Sequence, residues 1–200
     1  MFRIRRIYDD TLPVNREAIS RVQDILRNQF PLHPEQEILK LPEQLRNPMK
    51  YRFRAILFVA ESFRRDVHGF ALIFHDTELR FCFIDFLSTG KKKMGTGVGA
   101  ALYERVREEA LALESIGLFF ECLPDDPVLS RDPAIRKENA GRLAFFERYG
   151  ARPVAGTAFE TPVTPGGDNP PYLIFDDLGQ GIALRRDAVK AVVRAVLERK

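Results

Sequence analysis

The chain has 200 residues, of which 45% are hydrophobic and 30% charged, and its formal net charge is +3. This length suits one domain with a sizeable core, and so small a net charge argues against a nucleic-acid-binding protein. No apolar run is long enough for a membrane span or a signal peptide, so we expect a cytoplasmic protein without a membrane partner. The two cysteines, Cys82 and Cys122, lie in apolar runs and are expected to be buried and reduced. The three histidines are scattered, so no metal site is expected.

The first quarter of the chain is predicted to be helical. From Pro13 to Phe30 the apolar residues recur at helical spacing, which predicts an amphipathic helix. A short second helix is expected to begin at Pro34 and to be interrupted by Pro42, because proline cannot donate a helical hydrogen bond. Residues 13–48 therefore form the helical N-terminal part of the predicted domain.

The apolar period then changes to that of strands. Segments 53–61, 69–76 and 79–88 are rich in β-branched and aromatic residues and are bounded by polar turns. The connection at 75–78 is short enough for a hairpin. These three strands are predicted to form an antiparallel meander.

A glycine-rich turn and a helix follow the meander. Residues 88–104 read STGKKKMGTGVGAALYE, and a helix is predicted from Gly97 to Leu113. A largely apolar strand over 116–124 is typical of a central strand that is covered on both faces. After a long, charged connection, a helix is expected to end at Gly150, followed by a strand, a Pro/Gly loop and a last strand at 171–178.

The C-terminal segment 179–200 is predicted to form an amphipathic helix without a C-terminal cap. Its apolar stripe consists of Val189, Val192, Val193, Val196 and Leu197. The helix could pack on the core of its own chain, pack on a partner such as a second copy, or lead into a further domain. We therefore divide the chain into a domain at 1–178 and this helix.

Two known nucleotide-binding patterns can be compared with the turn GTGVGA. A P-loop is excluded because the lysines precede the glycines. A dinucleotide fingerprint would use Gly95, Gly97 and Ala100, but that motif follows the first strand of a parallel βαβ unit, and an antiparallel meander precedes it here. A turn that binds no ligand remains a further alternative.

The stretch FIDFLSTGKKKMGTGVGAALYERV resembles motif A of the GNAT superfamily of N-acetyltransferases, Gln/Arg-x-x-Gly-x-Gly/Ala after a strand. Gly97 and Gly99 occupy the two glycine places, and Met94 stands where the family usually has Gln or Arg. The physics agrees, because glycines let the backbone approach a ligand, and the N–H groups and dipole of a helix start attract phosphates. The resemblance implies that the turn binds the pyrophosphate of acetyl-CoA through Met94, Gly95, Thr96, Gly97, Val98, Gly99 and Ala100.

Two further stretches resemble the same family in the same order. NAGRLAFFERYGARPV resembles motif B, in which Asn139 matches the Asn that opens a helix and Phe145 and Phe146 match the aromatic pair. FFECLP resembles the strand before it, with Glu121 at the family's Glu. The chain is identified as a member over residues 50–178. This implies an α+β fold with a mixed, mostly antiparallel sheet flanked by helices on both faces, and places Asn139 and Phe146 at the cofactor.

The chain departs from the family pattern in two places. Many members have a tyrosine general acid where this chain has Phe146, which carries no acidic proton. Tyr149, one helical turn further on, is the candidate acid, although it could instead pack under the next strand. In addition, some seventeen residues separate Glu121 from Asn139, and we expect this inserted loop to lie near the acceptor mouth.

Acyl transfer to an amine requires a base to remove a proton and donors to stabilise an oxyanion. Glu121 is the candidate base, because burial in an apolar strand would raise the pKa of its carboxyl, although a solvated strand end or an arginine partner is an alternative. Asp85 is the rival, and strand alternation places it on the face of Phe83 and Leu87. By resemblance, the main-chain N–H groups from Leu87 to Thr89 supply the donors.

Cys122 adjoins Glu121 but is expected to point to the other face of the sheet and to belong to the core. The sequence thus predicts an acetyl-CoA-dependent N-acetyltransferase acting on a primary amine by direct attack. The amine could be a lysine side chain, a polyamine or a small amino compound. A non-catalytic acyl-CoA-binding module and a structural dimerisation domain are the alternatives. By resemblance, similar modules occur fused to deacetylase-like enzymes.

Overall fold

The computed structural model describes residues 1–90, 97–157 and 170–199. Seven strands and five helices lie within these ranges. In chain order they are β1 Arg3–Ile7, α1 Pro13–Gln29, α2 Glu35–Arg46, β2 Arg54–Glu61, β3 Val67–Asp76, β4 Phe81–Thr89, α3 Val98–Ala112, β5 Leu118–Cys122, α4 Pro133–Glu147, β6 Arg152–Pro153, β7 Tyr172–Asp176 and α5 Arg186–Arg199. None of the helices in these ranges is long and apolar enough to cross a membrane.

All the described strands belong to one sheet, in the order β1-β2-β3-β4-β5-β7-β6. The pairing of β4 with β5 is parallel, whereas the other neighbouring strands run antiparallel. The meander predicted for β2, β3 and β4 is confirmed. The hairpin between β3 and β4 is held by the Asp76 carboxylate, which accepts hydrogen bonds from the N–H groups of Glu78 and Leu79, both at 2.9 Å.

Two apolar clusters cover the two faces of this sheet. The first cluster lies between the sheet and helices α1, α2 and α5, and it includes Phe70, Phe83 and Phe119. The second cluster lies between the sheet and helices α3 and α4, and it includes Tyr103 and Phe120. The predicted α+β fold, a mixed and mostly antiparallel sheet with helices on both faces, is confirmed.

Helix α5 packs on the core of its own chain. Val192, Ala195 and Val196 are buried in the first cluster, while Leu197 at the edge of the stripe is 44% exposed. Arg52 donates to the carboxylate of Glu198 at 2.6 Å, which ties the end of the helix to the segment before β2. Most of the apolar stripe therefore has its partner within the chain. A homodimer or a fused partner at this helix stays a prediction.

The prediction that Pro42 interrupts the second helix is wrong, since α2 runs through it. Proline removes the N–H that would bond to the carbonyl of Ile38 four residues earlier. In this fold the side-chain amide of Gln23 on α1 donates to that carbonyl at 2.9 Å. A long-range hydrogen bond thus satisfies the acceptor that proline leaves unpaired.

Two features of the fold were not predicted from the sequence, strand β1 and the start of helix α4. The sequence RIRRI did not predict a strand, yet β1 pairs antiparallel with β2, and the Glu61 carboxylate accepts hydrogen bonds from Arg3 and Arg5. Helix α4 begins at Pro133 inside the connection expected to be irregular. Asp132 caps it by accepting from the N–H of Ala134 at 2.7 Å, a standard helix start with proline in the first turn.

Candidate active site

The central feature is a fork where β4 and β5 part. These parallel strands pair only from Cys82 to Ile84 on β4 and from Leu118 to Phe120 on β5. Both strands continue beyond this ladder, β4 to Thr89 and β5 to Cys122. No strand in the described ranges pairs with β4 on that side after Ile84. We call this opening between residues 85–89 and 121–122 the fork.

A β-bulge in β4 lies at the base of the fork. Leu72 on β3 pairs with Phe86 and the next residue pairs with Ile84, so Asp85 is the inserted residue. A bulge bends its strand and disrupts the alternation of side chains. Phe83 accordingly lies in the first cluster and Leu87 in the second. The expectation that Asp85 shares one face with both is therefore wrong.

Beyond the bulge, the backbone of β4 directs two N–H groups into the fork. The N–H of Gly90 donates to the carbonyl of His68 on β3 at 2.8 Å. Because backbone groups alternate in direction along a strand, the N–H groups of Leu87 and Thr89 point away from β3. The carbonyl of Thr89 follows the same rule, since it accepts from the Gln29 side chain at 3.2 Å rather than from β3.

Helix α3 begins at the same end of β4. Gly97 has a left-handed φ of 80°, a conformation that favours glycine, and its carbonyl accepts the first helical hydrogen bond, from Ala101. Val98 is buried against Gly69 of β3, where an added Cβ would lie 2.6 Å from the carbonyl oxygen of Ser88. Gly69 thus allows the helix start to approach the sheet.

Neither the backbone conformation of Gly99 nor its contacts with the described residues require a glycine at this position. A Cβ at this position would make an ordinary 3.6 Å contact with Cγ2 of Thr89, and no positive φ is recorded there. Glycine within a helix costs about 1 kcal/mol relative to alanine. This cost is consistent with a ligand that approaches the backbone at residue 99. Neighbouring Ala100 is half-buried.

Several predicted cofactor residues lie outside the described part of the chain. These are Met94, Gly95 and Thr96. Their expected contacts stay predictions.

Glu121 lies on β5 one residue past the end of the ladder and is half-buried. Phe119 belongs to the first cluster and Phe120 to the second, so alternation turns Glu121 towards the first-cluster face. Its cross-strand neighbour Leu173 is also in the first cluster. Glu121 therefore faces the side covered by α1 and α2.

The link between α1 and α2 lines that side of the fork. Gln29 ends α1, where its side-chain oxygen accepts from the Ser88 hydroxyl at 2.6 Å while its amide holds the carbonyl of Thr89. The Phe86 ring packs edge-on against Phe30 at 4.8 Å and His33 at 5.0 Å between centroids. The sequence analysis did not identify the residues of this link as part of the site, because no local motif indicates a contact between residues 59 positions apart.

The opposite face of β5 carries an aromatic group made by α3 and α4. The Phe146 ring lies 4.5 Å from that of Phe120 and 5.0 Å from that of Tyr103, between centroids. The Tyr149 hydroxyl donates to the Glu104 carboxylate on α3 at 3.2 Å, and burial together with this hydrogen bond raises the pKa of Tyr149. Tyr149 packs in the second cluster. The structure therefore does not bring Tyr149 together with Glu121.

Cys122 is buried on the second-cluster face, as expected. Burial raises the pKa of its thiol to about 11 and that of Cys82 to about 12. A thiol with such a pKa supplies almost no thiolate near neutrality, so Cys122 is a poor nucleophile.

Asn139 lies on α4 and contacts the segment that follows β5. It is buried, and its amide donates to the carbonyl of Pro124 at 2.8 Å. The irregular part of the inserted loop is confined to residues 123–132, because α4 takes up the rest. Asn139 therefore positions this loop beside the fork, and its predicted contact with the cofactor stays a prediction. No group of three or more His, Cys, Asp or Glu among the described residues could hold a metal ion.

No protein-family model matches the sequence, and neither does any curated protein. Solved structures do match. An aminoglycoside 6′-N-acetyltransferase from Enterococcus faecium is 17% identical, with a TM-score of 0.62 over 92% of this chain and 99% of that one. The catalytic domain of the Tetrahymena GCN5 histone acetyltransferase, in complex with coenzyme A, is 14% identical, with a TM-score of 0.58 over 91% and 96%. An acetyltransferase of the GNAT family from Staphylococcus aureus Mu50 is 12% identical, with a TM-score of 0.53 over 86% and 98%. The chain has the fold of the GNAT acetyltransferases.

Proposed function

We propose that the protein is an acetyl-CoA-dependent N-acetyltransferase that acts on a primary amine. One observation carries the proposal: β4 and β5 part at a bulge, and the N–H groups of Leu87 and Thr89 face into the opening beside the start of α3. An extended amide chain such as pantetheine can pair with such a strand edge. The helix start at Gly97 and Val98 suits the pyrophosphate.

Glu121 is the proposed base. It faces the side of the sheet covered by the α1–α2 link, where an amine can approach the fork from the face opposite α3. It takes the amine proton directly or through one water. The amine nitrogen then attacks the thioester carbonyl, and the N–H of Leu87 or Thr89 stabilises the oxyanion.

The thiolate of coenzyme A leaves and takes its proton from solvent. The Tyr149 hydroxyl is engaged with Glu104 on the other face, so it is not proposed as the acid. Attack is direct, because Cys122 lies on the face opposite Glu121 and its thiol stays protonated.

The acceptor is a lysine side chain, a polyamine or a small amino compound. Two of the similar structures bear the names of aminoglycoside and histone acetyltransferases. An acceptor screen should therefore include an aminoglycoside, spermidine and a lysine peptide.

Titration calorimetry with acetyl-CoA, followed by a thiol-release assay with these amines, tests the proposal. We expect binding and turnover with at least one amine class. Gly97→Glu should abolish binding, because a carboxylate would meet the phosphates and the left-handed φ disfavours any side chain. Wild-type protein that does not bind acetyl-CoA would contradict the proposal.

A non-catalytic acyl-CoA-binding module is the second candidate. Phe146 favours it, since the ring packs among Tyr103 and Phe120 and has no proton to donate. Tight binding of acetyl-CoA without turnover of any amine would select this alternative.

A further inference from the structure

The turn between β2 and β3, Ser62–Asp66, presents an exposed aromatic ring and two exposed guanidinium groups. Phe63 is 77% exposed, an unusual state for phenylalanine in a chain with a large core. Arg64 and Arg65 are exposed as well, and neither has a carboxylate partner among the described residues. We call these three residues the Phe-Arg-Arg tip.

The tip is held rigidly by its own turn. The N–H of Ser62 donates to the Asp66 carbonyl at 2.9 Å, and the Ser62 hydroxyl accepts from the N–H groups of Arg64 and Asp66, both at 3.2 Å. Arg65 adopts a left-handed φ of 66°, which is uncommon for a residue with a side chain. A preformed turn presents side chains to a ligand at a lower entropy cost than a mobile loop.

The base of this turn contacts both flanks of the proposed cofactor site. The carbonyl of His68 accepts from Gly90 at the end of β4, and Gly69 packs against Val98 at the start of α3. Arg65 precedes His68 by three positions, and a chain spans at most about 3.5 Å per residue, so the backbone of Arg65 lies within about 11 Å of His68. Extended arginine side chains at the tip can therefore reach a group bound outside the start of α3.

The chemistry of the tip matches a phosphorylated nucleoside. Guanidinium groups bind phosphate through paired hydrogen bonds, and an exposed aromatic ring stacks on a base. The Asp66 carboxylate, which accepts from the Ser62 hydroxyl at 3.3 Å, brings the net charge of the whole turn Ser62–Asp66 to one. Such a tip suits a single phosphate beside an adenine better than a polyanion.

We infer that the Phe-Arg-Arg tip binds the 3′-phosphoadenosine end of coenzyme A, with the arginines on the 3′-phosphate and Phe63 on the adenine. This inference rests on the proposed function. It adds a second anchor, distinct from the fork and the start of α3, and predicts that the protein distinguishes coenzyme A from 3′-dephospho-coenzyme A.

The test compares three ligands by titration calorimetry: coenzyme A, 3′-dephospho-coenzyme A and 4′-phosphopantetheine. For the wild type we expect coenzyme A to bind roughly tenfold more tightly than the dephospho form, as suits a charge-assisted phosphate contact. Arg64→Gln/Arg65→Gln should weaken coenzyme A to the affinity of the dephospho form and leave that form unchanged. Phe63→Ala should weaken both nucleotides roughly tenfold, as loss of base stacking does, and spare 4′-phosphopantetheine.

The chain supplies a matched control for the arginines. Arg185 and Arg186 form a second exposed pair that is also followed by an aspartate, but they lie at the start of α5, on the face opposite α3. Arg185→Gln/Arg186→Gln removes the same charge and should leave all three affinities unchanged. Equal weakening by both double variants would overturn the inference, because it would indicate a general charge effect.

Failure of the inference and of the proposed function give different results. If the wild type binds acetyl-CoA but the tip variants keep its preference for the 3′-phosphate, the inference is wrong and the proposed function stands. If the wild type binds none of the three ligands, both fall.

Discussion

At the scale of single residues, the two faces of the sheet separate Glu121, the predicted base, from Tyr149, the predicted acid. Glu121 faces the α1–α2 side of the fork, whereas the Tyr149 hydroxyl donates a hydrogen bond to Glu104 on the other side of the sheet. Glu121 and the Tyr149 hydroxyl therefore lie on opposite faces of the sheet, and Glu121 is the one of the two that we propose as the base.

Glu121→Gln should lower kcat by about 100-fold or more, because general-base catalysis typically contributes that much. The dissociation constant of acetyl-CoA should stay unchanged, since the substitution preserves shape. Tyr149→Phe serves as the control and should change kcat by less than about threefold, because its hydroxyl contacts Glu104 rather than the fork. Steady-state thiol release and calorimetry measure both variants. A normal rate in Glu121→Gln would remove Glu121 as the base.

Gly99→Ala should stabilise the fold while weakening acetyl-CoA binding. The site has room for a methyl group, and alanine gains about 1 kcal/mol in a helix. The methyl group would nevertheless stand where the backbone is proposed to approach the ligand. Gly141→Ala in α4, where an added Cβ meets nothing within 4 Å, is the matched control and should stabilise without an effect on binding. Thermal unfolding measures the stability of both variants, and calorimetry measures their affinity for acetyl-CoA. Unchanged affinity in Gly99→Ala would contradict the proposed close approach of the ligand to the backbone at residue 99.

At the scale of elements, the helix α2 depends on a neighbour to tolerate proline. The Ile38 carbonyl cannot be satisfied within the helix, and Gln23 of α1 supplies its donor. This contact also fixes how α1 and α2 pack beside the fork.

Gln23→Ala should destabilise the protein by about 1 kcal/mol, because it leaves the Ile38 carbonyl without its donor. In a Pro42→Ala background the same change should cost less, because the N–H of alanine can bond to that carbonyl. Urea unfolding of the four proteins gives the coupling free energy. Strictly additive effects would mean that Gln23 does not compensate for proline.

At the scale of the whole molecule, the sheet buries titratable groups that couple stability to pH. His75 is buried, and neither ring nitrogen has a hydrogen-bond partner in the described residues. Burial lowers the pKa of His75, helped by the positive charge of Arg54, although Asp76 and Glu109 oppose the shift. Burial alone would raise the pKa of Glu61, but hydrogen bonds from Arg5 and Arg3 outweigh it and lower that pKa.

The free energy of unfolding should fall as pH drops below about 6.5, the ordinary pKa of histidine. Below this pH the histidine binds a proton in the unfolded chain, whereas buried His75 in the folded protein stays neutral to a lower pH. Protonation therefore stabilises the unfolded state relative to the folded state. A second loss, from Glu61, should follow at lower pH, as the pH falls through its lowered folded-state pKa. His75→Leu should remove the first loss and leave the second. Urea unfolding from about pH 8 to about pH 2 covers both losses, and an identical profile in the variant would exclude His75.

Much of the fold follows from local patterns in the sequence. Helix α1 and strands β2, β3 and β4 have strong periodicity, so burial of their apolar faces decides their structure almost alone. The glycines before α3 and the motif order from residue 50 to 178 point to the fold and to the proposed cofactor. Local pattern did not disclose β1. Its arginines meet their carboxylate partners only in the folded chain, Arg3 and Arg5 at Glu61 on the neighbouring strand and Arg6 at Glu109 on α3.

The sequence by itself determined which segments bury apolar surface, and hence most of the elements and their order, with β1 as the exception. The tertiary structure alone decided which face each candidate side chain occupies. One inserted residue, Asp85, interrupts the alternation of β4, and a bulge forms only where a partner strand defines the register. Contacts between distant segments, such as Gln29 with Ser88, leave no local trace, because the free energy they contribute appears only when the chain is folded.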